Sequence, residues 1–318
     1  MRIARRNFVL GGVWLGLLVL SWALPGPGSS IARREIGRLF PEFQRADAVR
    51  VVIERPADVS ASGAPQSIEL VRRDQDQGAA LWVLPEHFDY PAGTVSMQQL
   101  FDALTSLTNL DLLSESAASH VDYGLGPDGL VLRVFNGAGD LLVGLVQGAE
   151  ATPAAGTGLA TYVRVLGADE VYRVPRVGTI PTDPRRWLER RWLAFEPGLV
   201  RELRITEGGT TEVWSRAEME RWTRAGAPAS ARLLRSLLDR LNACFFDDVI
   251  AAQPAGRTAE LHIAVVLQDG SELEMHFAAA DAEGSREAWR GPEDAVVRFS
   301  ASTCALMQKS LKALRAGR

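Results

Sequence analysis

Apolar positions along the chain recur with two periods, and the switches between them lay out its elements. Met97, Leu100, Phe101, Leu104 and Leu107 follow the i, i+3, i+4, i+7 spacing of one buried helix face, and Leu234, Leu237, Leu238, Leu241 and Cys244 repeat it. After each helix the period drops to two. Leu130, Leu132 and Val134 answer Leu141, Val143 and Leu145 around Asn136-Gly137; Ile263, Val265 and Leu267 answer Leu273, Met275 and Phe277 around Asp269-Gly270. Both runs predict hairpins. Shorter alternations predict strands over 49–53, 67–71, 80–84, 161–165 and 170–174, then over 200–205, 211–214, 221–222 and 295–299. Helical segments are predicted over 183–192 and 303–314, and Trp82 and Trp222 hold corresponding places before the two core helices. The expected fold class is α+β, a duplicated unit of antiparallel strands packed on a helix, over residues 47–195 and 196–318.

A different pattern precedes the first unit. Residues 1–6 carry Arg2, Arg5 and Arg6, and the anchor assigned to residues 7–24 contains an uncharged apolar run from Phe8 to Leu24, near the lower length limit for crossing a bilayer. The reading is a single uncleaved transmembrane helix with Trp22 at its headgroup end. A cleaved signal is the alternative, against which Trp22-Ala23-Leu24-Pro25 makes a poor small-x-small site. Arg5-Arg6-Asn7-Phe8-Val9 also resembles a twin-arginine export signal. Residues 25–46, opening with Pro25-Gly26-Pro27-Gly28, read as a tether. The basic head places the N-terminus in the cytoplasm and the body in the periplasm of a bacterial inner membrane.

Composition narrows the function classes. The 318 residues are 47% hydrophobic and 23% charged, enough to bury cores and too apolar for disorder. The net charge of −4 includes the three head arginines, so the body is acidic and gives no reason to expect nucleic-acid binding.

Several segments resemble a known family. Trp82 before the helix, the Asp122-Tyr123-Gly124-Leu125 turn, Thr161-Tyr162-Val163-Arg164, Glu170-Val171-Tyr172-Arg173-Val174 and Pro184-Arg185-Arg186-Trp187 are similar to the bacterial domain of unknown function 4340. That resemblance implies a membrane-anchored auxiliary component of gliding-motility-type ABC transport systems. It points to a permease or ATPase as partner and to a binding or assembly role rather than a reaction.

Candidate chemistry is sparse. A three-residue turn at Gln268-Asp269-Gly270 pairs His262 with His276 across the polar face of the second hairpin, with Glu274 diagonal on that face. Two imidazoles and a carboxylate suit zinc, so a metal-dependent envelope enzyme is one alternative. A solvated or partner-facing strand surface is the other reading of these residues, and the equivalent strand of the first copy carries Val131 and Arg133 instead. Arg185, Arg186, Trp187, Arg190, Arg191 and Trp192 form a basic and aromatic run that fits either an anionic membrane or acidic partner, or a packed junction between the halves. Gly124-Leu125-Gly126-Pro127-Asp128-Gly129 matches G-x-G-x-x-G in form, but a strand rather than a helix is expected after it, so it reads as a turn. Asp247-Asp248 reads as a helix end, and Cys244 and Cys304 as buried thiols with a disulfide as the alternative. The function expected is a non-catalytic, membrane-anchored accessory protein without cofactor; a stand-alone periplasmic ligand-binding module is a further alternative.

Overall fold

A computed structural model describes residues 37–56, 66–74, 80–109, 111–151, 160–175, 180–217 and 221–317. The expected membrane span over residues 7–24 lies outside them, as does most of the tether; among the described residues no helix is long and apolar enough to cross a membrane.

The first half comprises β1 (Arg50–Arg55), β2 (Gln66–Arg73), β3 (Leu81–Leu84), β4 (Tyr90–Pro91), α1 (Thr94–Ser106), β5 (Leu112–Ser114), β6 (Leu130–Phe135), β7 (Leu141–Ala151), β8 (Ala160–Val165) and β9 (Val171–Pro175). The second comprises β10 (Val200–Glu207), β11 (Thr210–Arg216), β12 (Trp222–Arg224), β13 (Ala227–Ala229), α2 (Ala231–Asn242), β14 (Asp248–Ala251), β15 (Leu261–Leu267), β16 (Glu272–Ala280), β17 (Arg286–Trp289), β18 (Val296–Phe299) and α3 (Ala301–Ala316). Each half forms one nine-stranded sheet. The orders are β4-β3-β2-β1-β6-β7-β8-β9-β5 and β13-β12-β11-β10-β15-β16-β17-β18-β14, the same order strand for strand, and the strand pairings are antiparallel.

This overturns the expected α+β class. The body is two antiparallel sheets, and the helices are few and do not form a layer backing them. In each half a helix joins the strand at one sheet edge to the strand at the other, and α2 and α3 come together with each other rather than along a strand. The helix period was legible, since Met97, Leu100, Phe101 and Leu104 of α1 and Leu234, Leu237, Leu238 and Leu241 of α2 are buried. What the period could not convey was the number of strands, because β4, β5, β13 and β14 are two to four residues long and too short to show alternation.

The two hairpins differ at their turns. In the second, Gly270 adopts φ 89° and the register pairs His262 with His276 and Val265 with Leu273, as the three-residue turn requires. In the first, a bulge between Val134 and Phe135 shifts the register and turns Leu141, placed on the buried face by its sequence period, out to 48% exposure.

A second device is common to both halves. Arg72 on β2 pairs with Trp82, and its Nη1 donates to the carbonyls of Ala46 (2.7 Å) and Ala48 (3.2 Å), just ahead of β1. Arg216 on β11 pairs with Trp222 and donates to the carbonyls of Gly198 and Val200, where β10 begins. Each arginine satisfies carbonyls of the segment leading into its central strand.

The helix expected over 183–192 is a single 3-10 turn, Pro184–Arg186, whose Arg185 amide is capped by the Asp183 carboxylate at 3.0 Å. Beyond it the chain is extended and tied on both sides. The Gly93 amide donates to Trp187 O (2.7 Å) and the Glu189 amide to Pro91 O (2.9 Å), while the Trp192 amide donates to Cys244 O and the Phe246 amide to Arg190 O (both 3.3 Å). Backbone partners from both halves thus outweigh helical propensity. Trp187, Leu188, Trp192 and Leu193 are buried, and one apolar cluster runs from Val51, Leu70 and Leu132 through these residues to Leu203, Val265 and Phe299.

Candidate functional site

The polar face of the β15–β16 hairpin carries the cluster that the turn arithmetic implies. His262 and His276 are direct cross-strand partners, with rings stacked at 4.4 Å between centroids and 13° between planes. Glu274, two residues along β16, reaches both: its Oε1 lies 3.9 Å from His262 Nε2 and its Oε2 3.4 Å from His276 Nε2. One potential ligand atom from each of the three lies within 4.8 Å of the others. Both imidazoles are partly buried, and Glu274 is exposed.

Neighbouring strands hold this arrangement. Trp289 of β17 pairs with His276 and stacks on its outer side at 5.8 Å and 13°, so three rings form a ladder across β15, β16 and β17. Sequence inspection missed Trp289, because its strand is four residues long and only the sheet order brings it beside β16. On β10, Arg204 is paired with both Glu202 (2.5 Å) and Glu272 (3.0 Å). Burial, together with the adjoining His276, lowers the pKa of His262 below the ordinary histidine value. Its Nε2 is buried and makes no hydrogen bond.

The first half treats the equivalent face differently. Val131 and Val146 are cross-strand partners where the second half has His262 and His276, and Gly144, opposite Arg133, stands where Glu274 is. The connection from β5 to β6 folds over this face: Leu125, Val146 and Val171 make a separate buried cluster flanked by Tyr123, Val131 and Tyr162. Gly148 permits that approach, since a Cβ there would meet Tyr123 O at 2.2 Å. The G-x-G-x-x-G stretch lies in this cover. Gly124 takes φ 67°, a strand begins directly after Gly129, and a Cβ at Gly129 would strike Val146 Cγ1 at 2.6 Å. The run therefore lacks the helix N-terminus a pyrophosphate needs.

The basic and aromatic run is split by the fold. Trp187 and Trp192 are buried, with Trp187 Nε1 donating to Pro181 O at 2.9 Å and Trp192 edge-on to Phe277 and Phe299. Arg190 donates to Phe246 O (2.6 Å) and faces Asp247 (3.3 Å), Arg191 donates to Asn242 Oδ1 (3.1 Å), and Arg185 pairs with Asp183 (3.1 Å). Arg186 is exposed. Arg190 and Arg191 thus reach across to the second half, and the buried indoles are not free to enter a bilayer.

Asp247 and Asp248 do not converge. Asp248 opens β14 and faces His87 Nδ1 of the first half at 3.8 Å, while Asp247 faces Arg190. Tyr90 joins the same inter-half contact, edge-on to Phe246 at 5.3 Å, and burial pushes its hydroxyl up to about 12. Cys244 and Cys304 are buried free thiols, and burial pushes Cys244 up to about 12. A cavity of ≈ 450 Å³ lined by Arg55, Gln147, Thr161, Ile180 and Arg186 lies within the first half rather than between the two.

Among comparisons with known proteins, a family model described as domain of unknown function (DUF4340) matches residues 82–262. The matched stretch starts in β3, crosses the junction and stops on β15, leaving Glu274 and His276 beyond it. No curated protein and no solved structure matches the chain.

Proposed function

The chain belongs to the DUF4340 family, and from that premise we propose that it is a non-catalytic accessory or binding protein of an ABC-type transport or envelope-associated complex. In this reading residues 7–24 hold it in the inner membrane and the two sheets work on the periplasmic side. The observation that carries the reading is the buried cluster that continues from one sheet through Trp187 and Trp192 to the other. Such a body presents broad sheet faces joined through one core, as a docking component requires. Its charged groups favour the same reading, because Arg190, Asp247 and Asp248 are engaged at the junction instead of converging on an open cleft. The acidic net charge fits a protein partner better than a nucleic acid.

Purification of the tagged full-length protein from its native membrane in mild detergent, followed by mass spectrometry, tests this. Stoichiometric recovery of a permease and its ATPase is the expected result. Recovery of the protein alone, under conditions that keep a known membrane complex intact, overturns the accessory role.

A further inference from the structure

We propose that His262, Glu274 and His276 form a binding site for a borderline divalent transition-metal ion of the zinc class on the outer face of the second sheet. The site goes beyond the accessory role and does not depend on it. Two neutral imidazoles and one carboxylate are a donor set such ions favour over calcium or magnesium, which take oxygen ligands. Zinc bonds of about 2.0–2.2 Å in a tetrahedral site place neighbouring donors about 3.3 Å apart. The donors here already lie within 4.8 Å of one another, and the Glu274–His276 pair is at 3.4 Å. The in-plane lone pairs of two stacked imidazoles converge on one ion only when the rings turn about their side-chain torsions, so binding is expected to reorient the His262–His276 stack.

Three further observations bear on the choice. His262 Nε2 is buried and makes no hydrogen bond, an unsatisfied polar atom that a coordinated ion relieves. Glu202 and Glu272 both pair with Arg204, so the arginine on the neighbouring strand carries its own counter-charges. Moreover, the corresponding face of the first half is apolar and covered by Leu125, whereas in the second half the connection ahead of β15, residues 252–260, leaves Glu274 exposed. One half thus closes this face with its own loop, while the other carries three potentially ligating side chains there, with Glu274 exposed. Three protein donors leave a fourth position for water or for a donor from another molecule.

The test uses untagged full-length protein in detergent, stripped of metal with a chelator and titrated with zinc chloride by calorimetry. One zinc per chain is expected, accompanied by a rise in melting temperature. His276→Ala and Glu274→Gln each remove a direct ligand, so each should weaken binding by at least the ~10–100-fold that loss of an outer-shell partner costs. Because His276 also stacks on Trp289, its truncation can disturb the sheet; Glu274→Gln leaves the ring ladder in place and keeps the test decisive. Failure of the wild-type protein to bind zinc at micromolar concentration, or unchanged affinity in Glu274→Gln, overturns the site.

Discussion

Tyr90, partly buried, and Cys244, buried, illustrate how one side chain sets a property of the whole protein. Burial raises Tyr90 from 10.0 to about 12 and Cys244 from 9.0 to about 12. Each proton is therefore held more tightly in the folded state than in the unfolded one. Their contribution to stability is fully present below about pH 9 and is lost as pH rises towards 12, each tenfold difference in proton affinity between the two states being worth about 1.4 kcal/mol. Melting temperatures recorded from pH 8 to 12 should fall through that window, and Tyr90→Phe and Cys244→Ala should each make the fall shallower. The same desolvation keeps the thiolate scarce, so a disulfide reagent at pH 8 should find no reactive thiol in the native protein and two after denaturation. Cys244 was recognisable as buried because it closes the apolar stripe of the second helix; Tyr90 was not, because its strand of two residues carries no period.

Among elements, the two central hairpins show how much one turn residue decides. Gly270 fixes a three-residue turn and thereby sets His262 opposite His276, which is why that pairing was legible from residue numbers alone. The connection over the first sheet was not legible, since its single buried leucine, Leu125, sits in a stretch rich in turn residues. Gly148 gives the means to test that cover. With a Cβ forced to within 2.2 Å of Tyr123 O, Gly148→Ala should displace the connection and cost about 1–3 kcal/mol in urea denaturation. Hydrogen exchange should then rise over residues 115–129 before the rest of the sheet. A wild-type denaturation curve from this variant would show that the connection does not depend on the close approach.

At the scale of the whole molecule, the extended segment around Trp187 and Trp192 makes two sheets into one core. Trp192 contacts Phe277 and Phe299 of the second half, while Gly93 and Pro91 of the first half bond the backbone at Trp187 and Glu189. Truncation at Trp192 should therefore do more than leave a cavity. Beyond the ~3–5 kcal/mol expected of a large-to-small core change, Trp192→Ala should split a single calorimetric transition into two, the second half melting first. A lower but still single transition would place the coupling elsewhere, at the Tyr90–Phe246 and His87–Asp248 contacts. The basic residues of this segment had two readings by composition, and burial of its tryptophans removes direct insertion of those indoles into a membrane.

The sequence by itself determined what is local and periodic: the duplication, the buried faces of α1 and α2, the central hairpins and the cross-strand histidine pair. These follow from spacing along one segment, where neighbours in sequence are neighbours in space. Only the tertiary structure decided the rest. The class changed from helix-backed strands to two nine-stranded sheets because edge strands of two to four residues take their form from a partner strand rather than from their own period. The segment after Trp187 became extended because backbone partners waited on both sides of it. Trp289 joined the histidines because hydrogen bonding between β16 and β17 placed it there, a neighbour that spacing within either strand could not reveal.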